Sequence, residues 1–139
     1  MESTMITSTK TNVEIVQENI SEFLKGNIAH IINNCTNDVV WSSYKVPGVP
    51  TTDTFHAKEG VQEYFQLLAE EINFTSFTAK EFLSEGNLVV VLGSSTGLVK
   101  TTGKSFDYSW CMQLRLQDGK TYEFFINADS YQIFKVFQE

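Results

Sequence analysis

Two side chains in this sequence could move protons inside a pocket. Asp129 lies at the end of an apolar, alternating segment, and His56 lies beside a proline-containing loop, just before a predicted helix. Apolar surroundings raise the pKa of a carboxyl group towards neutrality, where it can act as a general acid or base. A neutral imidazole can shuttle a proton or contact a polar ligand group. Asp129 and His56 are therefore the candidate catalytic residues.

Each candidate also has a structural interpretation. Asp129 could instead lie near the end of its strand and bond a helix amide or solvent. His56 could be a partly exposed histidine or a helix cap, and His30 fits a surface position on a short helix. The direction in which Asp129 points decides between the two interpretations of that residue.

A predicted hairpin positions Asp129. Its turn is Gln117–Lys120, and the central Asp-Gly pair between alternating runs is typical of a two-residue hairpin loop. One face of the first strand carries a set of apolar residues: Phe106, Tyr108, Trp110, Met112, Leu114 and Leu116. Alternation divides the second strand into two sets, one of Phe125, Asn127 and Asp129, the other of Tyr122, Phe124, Ile126 and Ala128.

Helices are predicted before this hairpin. Thr11 and Glu14 form a capping-box pattern, and apolar residues at helical spacing follow as far as Gly26. Asn27 can cap a second, shorter helix, and a third amphipathic helix runs from Val61 to Ile72.

Strands dominate the second half. Asn37-Asp38 predicts a turn before the short strand Val39–Trp41, and residues 44–56 form a loop that two prolines keep ordered. Phe74–Leu83 and Leu88–Val99 precede the hairpin, and Gly93 and Gly97 within the second of these indicate a bend or a close approach. The pattern predicts one α+β domain over residues 11–139, after a flexible leader of residues 1–10.

Composition excludes several classes of function. The net charge of −7 argues against nucleic acid and anionic membranes as partners, because both attract basic surfaces. No stretch approaches 18 apolar residues, and the first residues lack the apolar core of a signal peptide, so we expect a cytoplasmic protein. No motif for a phosphate, a nucleotide, a nucleophilic serine or a metal is present, so we expect no metal and no cofactor.

The order of these elements resembles the SnoaL-like branch of the NTF2-like superfamily. The motifs that carry the resemblance are Asp38–Trp41, Phe55–Val61 and Gln117–Lys120, and it extends from about Thr11 to Phe137. Ala57 stands where the family usually has glycine. The resemblance implies an NTF2-like cone, with three N-terminal helices packed in a strongly curved, mixed but mainly antiparallel sheet around one deep pocket.

The superfamily includes ketosteroid isomerases, polyketide cyclases and epoxide hydrolases, and the resemblance allows their residues to be compared one at a time. An isomerase would have a base where this chain has Ser43 and an acid where it has Met112. An epoxide hydrolase would have arginine and aspartate at Ser95 and Gly97. Only Asp129 matches an acid of these enzymes, and one acid alone cannot supply both halves of a proton-transfer mechanism.

The resemblance also implies where other side chains point. It places the set with Asp129 on the pocket side, and the predicted ligand-binding residues are Trp41, Ser43, Tyr44, Tyr108, Trp110, Met112, Phe125 and Asn127. The other set is expected on the outer face together with Leu88, Val90 and Leu92, as the apolar interface of a homodimer.

The resulting functional hypothesis is a pocket that binds a small hydrophobic or aromatic molecule. If the protein is an enzyme, it would be a cofactor-independent isomerase, cyclase, hydratase or hydrolase that uses Asp129, with His56 as an auxiliary residue. Two alternatives stay open: a non-catalytic carrier, and an interaction module that uses the outer sheet to bind a different protein.

Overall fold

The computed structural model describes residues 10–139, so the predicted leader, apart from Lys10, lies outside the described residues. Helices and strands follow the predicted α+β order, with one short strand and one C-terminal helix added. The elements are α1 (Asn12–Leu24), α2 (Ile28–Asn33), β1 (Cys35–Ser42), β2 (Thr54–His56), α3 (Ala57–Glu71), β3 (Ile72–Glu85), β4 (Leu88–Val99), β5 (Ser105–Gln117), β6 (Lys120–Ala128) and α4 (Ser130–Phe137).

All six strands form one curved sheet in the order β2-β1-β6-β5-β4-β3. β1 and β6 are parallel, and every other neighbouring pair is antiparallel, which confirms the predicted mixed sheet. The helices α1 and α3 pack against the sheet, and aromatic and aliphatic side chains from both layers form the main core. Burial of this apolar surface is the principal stabilising contribution to the fold.

The first helix starts as its sequence predicts. The Thr11 hydroxyl accepts from the Glu14 amide at 3.1 Å, and the Glu14 carboxylate accepts from the Thr11 amide at 2.8 Å. Asn27 precedes α2 but makes no side-chain cap, because its Nδ2 donates to the Glu22 carboxylate at 2.7 Å instead. The expectation that Asn27 caps α2 is therefore wrong.

One further expectation needs correction, and two elements are additional to those expected. Asn37 and Asp38 lie within β1 and not in a turn, so that strand is longer than Val39–Trp41. The short strand β2, which pairs with β1, and the helix α4 were not predicted. A signal for α4 is present, however, because Asp129 is a favourable N-cap residue just before apolar side chains at helical spacing.

Ala57, the first residue of α3, has a φ of +67°. This left-handed conformation explains why the resemblance implies glycine at this position, since a Cβ atom there is strained by about 1 kcal/mol. The chain accepts this local strain because β2 and α3 on either side are fixed by packing of Phe55 and Val61, both buried.

A β-bulge at Tyr122 sets the orientation of every later residue in β6. Next to the turn, Leu116 pairs with Thr121, but beyond it Arg115 pairs with Glu123 and Leu114 with Phe124. Tyr122 is thus one extra residue on the β6 side. A register shift of one residue exchanges the two faces of a strand. Without the bulge, Met112 would face Phe125 and Trp110 would face Asn127.

With the bulge, the opposite set faces the core. Phe124, Ile126 and Ala128 lie across from Leu114, Met112 and Trp110, on the inner face of the sheet. The expectation that these three β6 residues form the outer face is therefore wrong, and Phe125 pairs on the outer side with Gln113.

The outer face of the sheet is more polar than expected. Leu88, Val90 and Leu92 do alternate with the buried Val89 and Val91 and so lie on this face. They face Arg115, Gln113 and Cys111 across the strand pair, and Arg115 forms an ion pair with Glu123 at 3.3 Å. The homodimer through this surface stays a prediction.

Candidate functional site

A cavity of about 320 Å³ lies between the helices and the inner face of the sheet. Stacked aromatic pairs build its walls: the Trp41 and Phe124 rings lie 3.8 Å apart, and the Phe77 and Trp110 rings lie 4.8 Å apart. Tyr64 packs against Trp41 at 5.9 Å between ring centroids. Such broad, flat, apolar surfaces favour contact with a flat apolar molecule.

The structure brings most of the predicted binding residues to this cavity. Those that border it are Trp41, Ser43, Tyr44, Tyr108, Trp110, Met112 and Asn127. Tyr44 is 71% exposed, which puts it at the opening. Phe125 does not border the cavity, and its ring contacts Tyr44 on the outer side at 4.9 Å. The expected pocket-facing orientation of Phe125 is wrong, because the bulge at Tyr122 turns it outward.

Asp129 is the N-cap of α4. Its Oδ1 accepts from the Gln132 amide at 3.1 Å, and the residue is exposed to solvent and does not border the cavity. The prediction that Asp129 faces the pocket is therefore wrong, and the helix-amide alternative describes its position. The catalytic role proposed for Asp129 depended on an apolar environment that this carboxylate does not have.

This position predicts a stability effect for two substitutions. Asp129→Ala removes the cap and should lower the free energy of unfolding by about 1 kcal/mol, whereas Asp129→Asn should be nearly neutral, because asparagine caps helices as well as aspartate does. Urea denaturation of the two variants beside the wild type measures the difference. Equal losses of stability in both variants would contradict the capping role.

His56 also lies outside the cavity wall. It is the N-cap residue of α3 without a side-chain cap bond, it pairs with Val40 at the edge of the sheet, and it is exposed. His56 and Asp129 are therefore not brought together around the cavity, and neither borders it.

Part of the cavity wall comes from the loop with the two prolines. Val46, Val49 and Thr52 are buried and border the cavity. The Thr52 hydroxyl accepts from the Val46 amide at 2.8 Å and bonds the Val49 carbonyl at 2.9 Å, so the loop is closed by its own side chain. Sequence analysis predicted an ordered loop here but missed its contribution to the site, although the valines beside each proline were a signal.

Tyr64 and α4 were missed as well. Tyr64 fits the apolar stripe of α3, which made it indistinguishable from a core residue in the sequence. Ile133 and Phe137 of α4 border the cavity. The helical spacing of these apolar residues after Asp129 is the feature of the sequence that indicates α4.

Gly93 and Gly97 allow a close approach to β4, one of the two possibilities that their position in the sequence indicates. A Cβ atom on Gly93 would lie 2.4 Å from the Trp110 ring, and one on Gly97 would lie 2.9 Å from the Phe106 ring. The glycines therefore allow the Trp110 and Phe106 rings, and the backbone of β3, to approach β4 closely. Ser95 between them is buried and borders the cavity, opposite Tyr108.

No charged side chain borders the cavity within residues 10–139: the wall contains no aspartate, glutamate, lysine, arginine or histidine, and no cysteine either. Its polar groups are hydroxyls, amides and indoles. Burial raises the pKa of Tyr108 to about 12. Burial also raises the pKa of Tyr64, the neighbouring Tyr108 adds to the rise, and the nearby Trp41 indole partly offsets it. Both tyrosines are thus neutral hydroxyls at physiological pH.

Both tryptophans of the wall carry an unpaired donor. Trp41 and Trp110 are 5% and 4% exposed, and neither Nε1–H has a hydrogen-bond partner of normal geometry among the described residues. The Trp41 indole is close enough to the Tyr64 hydroxyl to affect its pKa, yet the two do not form a hydrogen bond of normal geometry. A buried donor without an acceptor costs about 1–3 kcal/mol.

The positions at which the resemblance implies catalytic residues of isomerases and epoxide hydrolases do face this cavity. Ser43, Ser95 and Met112 all border it, at the places where the resemblance implies a base, an arginine and an acid. The chain therefore has the pocket, but these three positions carry no ionisable side chain. No group of three or more histidine, cysteine, aspartate or glutamate side chains suited to a metal occurs in residues 10–139.

A family model of the SnoaL-like domain matches residues 16–124, most of the helices and the sheet described above. The chain belongs to the SnoaL-like domain family. The match covers α1 to most of β6 and ends before α4, so Asp129 lies outside it. No curated protein matches this SnoaL-like chain in sequence.

Solved structures agree with the family in their fold. An NTF2-like protein from Burkholderia thailandensis E264 has a TM-score of 0.84 at 22% identity, covering 94% of this chain and 100% of that chain. An NTF2-like protein of unknown function from Burkholderia pseudomallei K96243 has a TM-score of 0.83 at 18% identity, with coverage of 94% and 100%. TerC, co-crystallised with polyporic acid, has a TM-score of 0.81 at 18% identity, covering 92% and 98%. At these identities the likeness establishes the NTF2-like fold of this SnoaL-like domain.

Within the described part of the chain, no helix of this SnoaL-like domain is both long enough and apolar enough to cross a bilayer.

Proposed function

We propose that this SnoaL-like protein binds a small hydrophobic or aromatic molecule in the cavity, as a ligand-binding protein rather than a carboxylate-dependent enzyme. The observation that carries the proposal is a cavity with stacked aromatic walls and no ionised side chain on its surface among residues 10–139. Transfer of a flat apolar ligand from water to contact with these walls favours binding by about 25 cal/mol per Å² of apolar surface that is buried.

Cavity size supports a compact ligand. A volume of about 320 Å³ is at the lower end of the range of roughly 300–1,000 Å³ for small-molecule sites. One or two fused aromatic rings fit this volume. TerC, which shares the fold, was crystallised with polyporic acid, so a neighbour of this fold has been co-crystallised with a small organic molecule.

The wall composition favours binding over acid–base catalysis. A general acid or base must lie within hydrogen-bond reach of the proton it transfers. Asp129 and His56 are both exposed and do not border the cavity, and the hydroxyls of Tyr64 and Tyr108 are held neutral by burial. The isomerase, cyclase, hydratase and hydrolase alternatives would need another source of proton transfer.

A cavity-filling substitution tests the proposal. Ser95 borders the cavity and is 1% exposed, so Ser95→Leu places a branched apolar side chain in the space a ligand would occupy. We expect wild-type protein to bind 2-ethylnaphthalene saturably, by fluorescence titration of the probe, and Ser95→Leu to weaken this binding at least about tenfold.

Ser94→Leu is the matched control. Ser94 is the neighbouring residue on the same strand and points to the opposite face, so its substitution should leave probe binding unchanged. Absence of saturable binding by the wild type up to the solubility limit of the probe would refute the proposal. Equal binding by Ser95→Leu, in a folded variant, would place the probe elsewhere and refute it too.

A further inference from the structure

We infer that protonation of His30 on the surface changes the hydrogen-bonding character of the cavity wall at Asn19, through the Asn34 side chain that lies between them. This inference concerns the regulation of the proposed binding site, so it rests on the proposed function. The observation that carries it is a continuous chain of hydrogen bonds from a surface histidine to a buried amide of the wall.

Asn34 connects the surface to the cavity wall. Its Nδ2 lies 3.2 Å from the Asn19 Oδ1 and 3.1 Å from the His30 Nε2. Asn19 is 8% exposed and borders the cavity, whereas the His30 side chain is 25% exposed and borders a depression on the protein surface. The two hydrogens of one amide group are therefore shared between a wall residue and a titratable surface residue.

The Asn34 donor fixes the form of His30 in this arrangement. An amide Nδ2 only donates, so both the Asn19 Oδ1 and the His30 Nε2 accept from it. An accepting Nε2 belongs to a neutral imidazole that carries its proton on Nδ1. Because the Asn19 Oδ1 is bonded to Asn34, the Asn19 amide has Nδ2, a donor, left to offer to a ligand in the cavity.

Protonation of His30 reverses both bonds of this chain. The imidazolium carries a proton on Nε2, so Nε2 can no longer accept from Asn34. When the Asn34 amide turns over, its Oδ1 accepts from the His30 Nε2–H, and Asn19 turns over in response to donate to the same oxygen. The two ends of an amide have nearly the same shape, so this exchange needs little space. The Asn19 oxygen, an acceptor, then replaces its nitrogen at the cavity.

Charged groups from neighbouring elements surround His30. The Glu18 Oε2 lies 4.0 Å from the His30 Nε2, beyond hydrogen-bond length, so Asn34 is the nearer partner of this nitrogen. The charged side chains around His30 are those of Glu18 and Glu22 on α1, Lys10 before α1, Asp118 in the hairpin turn, and Lys120, which bonds the Asn33 carbonyl. The carboxylates favour the imidazolium and the lysines oppose it. Of these residue types, only histidine ordinarily changes its charge between about pH 5 and pH 8.

The cavity wall itself does not titrate in this range. Within residues 10–139 no acidic, basic or histidine side chain borders the cavity, and burial keeps the hydroxyls of Tyr64 and Tyr108 neutral by raising the pKa of each. A change in ligand binding with pH must therefore come from a group outside the wall. The sequence has two histidines, and the second, His56, is exposed at the edge of the sheet.

Two naphthalene probes at two pH values test the inference on the whole protein. 2-Methoxynaphthalene only accepts hydrogen bonds, whereas 2-naphthol donates and accepts, and both are uncharged at about pH 5.5 and about pH 8. We expect the Kd of the methoxy probe, divided by that of naphthol, to be about three- to tenfold larger at the lower pH, which is the effect of one hydrogen bond. The ratio cancels general effects of pH on the protein. An unchanged ratio would overturn the inference.

Three variants assign the change in ratio to the chain. His30→Gln removes the titrating group, so the ratio should become the same at both pH values. Asn34→Ala leaves His30 free to titrate but interrupts the chain, and it should also abolish the change. His56→Gln is the matched control and should keep the wild-type change. A change that persists in folded Asn34→Ala, or one that is lost in His56→Gln and kept in His30→Gln, would overturn the inference.

NMR without any ligand separates this inference from the function on which it rests. We expect the side-chain amide signals of Asn19 and Asn34 to shift together with the imidazole signals of His30 as the pH changes. In Asn34→Ala the Asn19 signals should no longer follow His30. Failure of both probes to bind at either pH would remove the proposed function, and the NMR titration would still test the chain. Asn19 amide signals that stay constant while His30 titrates would overturn the inference.

Discussion

Gly93→Ala is expected to lower the free energy of unfolding by about 3 kcal/mol, because the added methyl group has nowhere to go. An ideal Cβ atom on Gly93 lies 2.3 Å from the Thr78 carbonyl oxygen and 2.4 Å from the Trp110 ring. The first contact is with the backbone of β3, and the second is with a ring stacked on Phe77, so neither neighbour can yield cheaply.

Local backbone conformation does not contribute to this expected loss. Gly93, unlike the turn residue Gly103, has no positive φ, so alanine would be acceptable to the backbone if space were available. Urea denaturation measures the effect, with Ser94→Ala on the same strand as the control. A loss below about 1 kcal/mol in Gly93→Ala would contradict this expectation, because both the β3 backbone at Thr78 and the Trp110 ring would have to move aside at little cost.

Two single-residue deletions in β6 should have different effects, because one removes the extra residue of the bulge and the other changes the register of the strand that follows. Deletion of Tyr122 leaves Arg115 paired with Glu123 and Leu114 with Phe124, because it removes only the extra residue. We expect this deletion to lower the free energy of unfolding by about 1 kcal/mol, through lost local twist and the lost hydrogen bond from Asn87 to the Tyr122 hydroxyl.

Deletion of Phe125 should be much more damaging. It shifts Ile126 and Ala128 to the outer face and places the polar residues Asn127 and Asp129 opposite Met112 and Trp110, respectively, by the one-residue rule for strands. The loss of apolar packing should lower the free energy of unfolding by about 3 kcal/mol or more.

Chemical denaturation of both deletion variants measures the contrast, and amide and Hα NMR shifts of β6 report its register. Comparable loss of stability in the two variants would contradict the assignment of Tyr122 as the extra residue. Retained probe binding by the Tyr122 deletion would further support the register.

Local sequence patterns determined much of this fold. The capping box of Thr11 and Glu14, the spacing of α1 and α3, and the Asp-Gly turn of the hairpin each depend on residues close together in the chain. Neighbouring residues fix the conformation of such elements almost alone, so the sequence by itself is sufficient to predict them. The resemblance that these elements carry led to the SnoaL-like family, and most of the predicted binding residues do border the cavity.

The tertiary structure decided the chemistry of the site. Alternation correctly separated Phe125 from Phe124, Ile126 and Ala128, although Asn127 also borders the cavity at the end of β6, but alternation cannot say which set faces inward. That choice depends on which residue of β5 lies opposite each residue of β6, and a single extra residue at Tyr122 reverses it. The sequence alone therefore predicts a pocket acid at Asp129, whereas α4, which begins directly after it, uses the Asp129 carboxylate as a cap.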